Sequence, residues 1–135
     1  MDTEDALVAA LEAGTLDPAA FDHAAHVRVG WAYLRRAPVE RAIPAFAETL
    51  QRFARGIGKP GLYHATITWA FLLLIHERMA RLAPDADFAT FREQNPDLFR
   101  KDVLRRWYLD QTLGSDLARA VFVMPDRLRD GEGTD

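Results

Sequence analysis

The stretch that decides the fold is 62–82, LYHATITWAFLLLIHERMARL. On a helical wheel its middle is apolar nearly all round, with Ile67, Trp69, Ala70, Phe71, Leu72, Leu73, Leu74 and Ile75 in close succession. A helix without a polar face belongs at the centre of a fold, covered by other helices. The apolar run from Ile67 to Ile75 is broken by Thr68 and is far shorter than the ~20 residues a membrane helix needs. The stretch therefore predicts a buried central helix from about Leu62 to Leu82, ended by Ala83-Pro84-Asp85.

Period-3.6 patterning continues on both sides, and alternating strand patterns are absent. Upstream, a short helix is predicted over about Glu4 to Ala13 with Gly14 as its stop, and Asp17-Pro18 reads as a turn or cap. A second helix runs from about Asp22 to Arg36. A third covers about Val39 to Arg55, with Pro44 inside it to kink it or delay its start. Downstream lie a short helix near Phe88 to Glu93, a break at Asn95-Pro96, and a helix over about Lys101 to Leu109. Ser115 caps a last one through Phe122, and the polar tail over 127–135 is expected to fray. The expected architecture is all-α: one helical domain over 1–135, a compact bundle of about five to seven helices.

Composition narrows the class. The chain has 135 residues, a net charge of −3, 49% hydrophobic and 27% charged residues, which is ordinary for one globular domain. It contains no cysteine, which excludes disulfide scaffolds, thiolate metal sites and cysteine nucleophiles. The N-terminal MDTEDALVAALEAG is acidic before it is apolar, the reverse of a secretory signal, so cytoplasmic residence is the default. Arginine dominates the cations, but Arg35, Arg36, Arg41, Arg52 and Arg55 alternate with Glu40 and Glu48. That is a mixed-charge surface and not a nucleic-acid stripe. Neither nucleic acid nor a membrane is an expected partner, and a homodimer is admitted.

Four histidines carry the chemistry. His23 and His26 share a helix face with Val27, Gly30 and Leu34, so both point inward. The same wheel on the central helix places His64 with Ile67, Thr68, Phe71 and Ile75. Three inward imidazoles on two helices suit a tri-histidine centre with open positions for water or substrate. Zinc is the favoured ion, and imidazole ligands also suit iron, copper or nickel. Metal-free catalytic histidines and purely structural ones stay open beside this reading. His76 falls about a third of a turn away from His64 and reads as structural.

Beside the histidines, Thr66, Thr68 and Tyr63 offer hydroxyls. Thr68 and Tyr63 are placed with His64 in catalysis; Thr66 is assigned with Lys59 and Arg119 to substrate binding. Lys59 precedes a helix N-terminus, where a cation opposes the macrodipole, so an anionic ligand there would account for it. Arg119 offers a planar fork for a carboxylate or phosphate.

The pattern Phe21-x-His23-x-x-His26, Lys59, Tyr63-His64-x-Thr66-x-Thr68, Arg119 and Pro125-Asp126 covers most of the chain. In it the sequence resembles a family of small bacterial all-helical proteins with no established activity. The resemblance implies positions and no chemistry. The functional expectation is a metal-dependent enzyme, hydrolase-like in the least specific form, acting on a small anionic molecule at His23, His26 and His64. A ligand sensor without turnover and a metal-free enzyme with a histidine base are its rivals.

Overall fold

The computed structural model describes residues 3–127. Helix α1 (Thr3–Ala13), α2 (His23–Arg36), α3 (Val39–Gly56) and α4 (Ala65–Ala80) form the body of the fold. The shorter α5 (Phe88–Gln94), α6 (Asp110–Leu113) and α7 (Asp116–Ala120) follow. Turns of 3-10 helix at Pro18–Ala20, Pro60–Leu62, Pro96–Phe99 and Val103–Arg106 join them, and no strand occurs among the described residues. The protein is all-helical, as the periodicity predicts.

Caps set the starts. Asp22 accepts from the Ala25 N–H at 2.9 Å, Asp87 from Thr90 at 2.9 Å and Ser115 from Ala118 at 3.1 Å, each satisfying an orphan donor of the first turn. α4 packs against α2, α3 and α7, and Gly30 of α2 faces Ile75 and Leu72 of α4. A Cβ there would lie 3.2 Å from Ile75 Cδ1. Val27, Ile43, Phe46, Leu72, Ile75, Phe91, Leu98 and Val103 are sealed in the core between these elements. α4 is not covered on every side, because Ile67 and Leu73 remain 41% and 42% exposed.

Three predicted boundaries shift, and the start of α3 holds. α4 starts at Ala65: Leu62 belongs to a 3-10 turn, and His64 has extended backbone (φ −135°, ψ 111°) as its N-cap. Pro44 neither delays nor breaks α3; it is exposed, as is Glu40, whose carbonyl a proline cannot bond. The segment predicted as a helix over 101–109 forms only the Val103–Arg106 turn. Burial of Val103, Leu104 and Tyr108 and a 2.7 Å bond from the Tyr108 hydroxyl to the Val123 carbonyl override its local periodicity. α7 stops at Ala120, where Thr66 Oγ1 donates to the Val121 carbonyl (2.8 Å) and accepts from the Val123 N–H (3.0 Å). The predicted frayed tail lies outside the described residues except for Arg127, whose N–H donates to the Trp107 carbonyl at 2.9 Å.

Candidate functional site

A cavity of about 700 Å³ opens among α2, α3 and α4. Phe46, Leu50, Phe53 and Ala54 of α3 and Phe71 and Leu72 of α4 supply apolar walls. His23, His26, Lys59, Tyr63, His64 and Thr68 all line it, and so does Lys101. Arg119 and Thr66 do not.

The three histidines differ in what their ring nitrogens do. His64 Nδ1 accepts from the Ile67 N–H at 3.1 Å, while its Nε2–H donates to the Leu113 carbonyl at 2.7 Å. Both nitrogens are occupied, so His64 caps α4 and ties it to α6. Metal ligation needs an imidazole lone pair, and His64 keeps none. Among the described residues no group of three His, Asp or Glu side chains is placed to hold a metal ion. The geometry does not fit the tri-histidine centre that the spacing suggests.

His23 Nε2–H donates to the Leu98 carbonyl at 2.9 Å, and its ring stands edge-on to Phe71 at 5.2 Å. His26 donates through Nδ1–H to the Asp22 carbonyl at 2.9 Å and stacks on Phe21 with ring centroids 3.8 Å apart. This bond fixes the tautomer and leaves the His26 Nε2 lone pair unengaged among the described residues. Burial pushes the His26 pKa below the usual histidine value, and the Asp22 carbonyl only partly offsets it. The result is a neutral, oriented imidazole with one unengaged acceptor on a residue that lines the cavity, the arrangement of a general base.

The hydroxyls divide in the same way. Thr68 Oγ1 donates back to the His64 carbonyl at 2.7 Å, a local helix bond. Thr66 is fully buried and clamps the Val121–Val123 segment. Arg119 Nη1 donates to the Gly61 carbonyl at 2.7 Å and steadies the turn after Lys59. Tyr63 lines the cavity beside the Thr68 hydroxyl; burial raises its pKa, and the side-chain hydrogen bond with Thr68 partly offsets this.

Sequence reasoning missed Lys101. Only two lysines occur in the chain, among seventeen lysines and arginines together, and both line this one cavity. Their scarcity was the available signal. Lysine is a compact point charge, where arginine's planar fork is more readily committed to paired hydrogen bonds. No ion pair among the described residues involves either lysine, whereas the neighbouring Arg105 is paired to Asp110 at 3.0 Å. No helix of the described residues is long and apolar enough to cross a membrane. No family model matches the chain, and neither a curated protein nor a solved structure is significantly similar to it.

Proposed function

We propose that the cavity binds a small anionic molecule and that His26 is the proton acceptor of a metal-free reaction on it. The observation that carries this reading is the open Nε2 of His26 in a cavity that also receives both unpaired lysines. Lys59 and Lys101 hold the anion. The base is His26, not His64, whose nitrogens are spent on the Ile67 N–H and the Leu113 carbonyl. Hydrolysis is the least demanding reaction for this set, with His26 taking a proton from the attacking water.

Nitrogen-15 spectra of the imidazoles during titration with small carboxylates and phosphates test the proposal. His26 should report the Nδ1–H tautomer, and its signals should move with those of Lys59 on binding. Turnover of a panel of anionic esters should be lost in His26→Gln. Anions that leave His26 and both lysines unperturbed would overturn the assignment. Binding without turnover of any ester would reduce it to a ligand-binding module.

A further inference from the structure

The cavity is much larger than an inorganic anion requires, and most of its buried lining is apolar, with His64 and Thr68 the polar exceptions. About 700 Å³ is the room of roughly two dozen waters at ~30 Å³ each, so a bare phosphate would leave most of it wet. Phe46, Phe53 and Leu72, at 2%, 8% and 2% exposure, form the buried wall, whereas Lys59 and Lys101 are exposed at the rim. Apolar walls with a few polar groups at one end are how proteins hold small organic molecules in a fixed orientation.

The charge of the lining limits what that end can be. Lys59, Lys101 and Arg105 face Asp22 and Asp102 around the cavity, an excess of one positive charge. Arg105 is already committed to Asp110, and Asp22 to the first turn of α2. His26 adds no charge at neutral pH, because burial holds it in the neutral form. Arg100 already pairs Asp102 at 3.9 Å, so Lys59 and Lys101 against Asp22 leave one positive charge, and such a rim favours a monoanion over a polyanion.

We propose that the ligand is an amphipathic monoanion of the medium-chain carboxylate type. Its apolar body lies against Phe46, Phe53 and Leu72, and its carboxylate lies at Lys59 and Lys101. The proposal rests on the anionic-ligand reading above and adds the apolar body to it. The body then covers the apolar surface that would otherwise be hydrated.

Calorimetric titration of the full chain with hexanoate, octanoate, decanoate, 1-octanol and inorganic phosphate tests it, at fixed ionic strength and below micelle formation. Affinity should rise about fourfold per added methylene, the increment for burying one such group. Octanoate should bind more tightly than 1-octanol by up to about fivefold, the scale of an exposed charge pair. The double variant Lys59→Met, Lys101→Met should remove that difference and keep the dependence on chain length. Both lysines are exposed, so their loss leaves the core intact, and the length series needs no variant at all.

Carboxylates and phosphate that bind alike, with no dependence on chain length, would overturn the apolar body and leave the small-anion reading standing. Octanol binding as tightly as octanoate, unchanged in the lysine variant, would overturn both readings. Failure of every probe to bind would do the same.

Discussion

At the scale of single residues, His26 couples the cavity to pH. Burial depresses its pKa in the folded chain, while the unfolded chain titrates near the ordinary value of about 6.5. As pH falls through 6.5 the unfolded state takes up a proton that the folded state refuses. Stability is therefore lost from about pH 7 downward, until the folded-state pKa is passed. Urea unfolding at pH 7.5 and 5.5 should show this loss, and His26→Gln should reduce the difference between the two. Thr66 is the second informative residue, since its one oxygen serves both the Val121 carbonyl and the Val123 N–H. Thr66→Val keeps the shape and removes both bonds, at a cost of about 1–3 kcal/mol. Amide exchange at Val123 should accelerate more than exchange in α2.

At the scale of elements, the end of α3 positions Lys59. Gly58 has φ +75°; its N–H reaches the Arg55 carbonyl at 3.0 Å, and the Lys59 N–H reaches the Ala54 carbonyl at 2.8 Å. This is the paired bonding of a Schellman cap, which a left-handed residue makes available. Gly58→Ala should cost about 1–2 kcal/mol in urea unfolding, and it should weaken anion binding because the next residue is Lys59. The contact of α2 with α4 depends on Gly30 in another way. A side chain there meets Ile75 and Leu72 within 3.4 Å, so Gly30→Val should destabilise by about 1–3 kcal/mol through overpacking. Measured by thermal unfolding, an unchanged midpoint would show that α2 can move away from α4 without loss.

At the scale of the whole molecule, one ion pair ties the far end of α4 to the turn that orients His23. Arg78 grips Asp97 through two bonds of 2.9 and 2.8 Å and Asn95 through a third of 3.0 Å. Asp97 lies in the turn whose Leu98 carbonyl receives the His23 ring N–H. Arg78 holds the Asp97 carboxyl below the usual carboxylate range. Its contribution is present above about pH 4, the unfolded carboxylate value, and is lost as pH falls through the lower folded value. Arg78→Met should lower stability at neutral pH by about 1–3 kcal/mol and shrink the final acid loss. The His23 imidazole signals should also broaden or shift, which a purely local effect on α4 would not produce.

The sequence by itself determined the five longer helices and the start of α7, but not α6. Asp22, Asp87 and Ser115 reach donors three residues ahead of them, and the apolar stripes follow from spacing along one chain segment. Such interactions close within a turn, so spacing suffices to find them. The wheel also turned His23 and His26 toward the core side of α2, and both line the cavity. It turned His64 inward as well, and His64 is buried and lines the same cavity, but as an N-cap with extended backbone it lies outside the helix the wheel assumed. Tertiary structure alone decided what each ring nitrogen does: the carbonyl that takes His64 Nε2–H is 49 residues away, and the one that takes His23 is 75 away. It also decided that Lys101 joins Lys59, and that the 101–109 segment gives up its helix to bury Val103, Leu104 and Tyr108. Whether a histidine is base, ligand or strut depends on which distant carbonyl meets its N–H. Local periodicity carries no information about that partner.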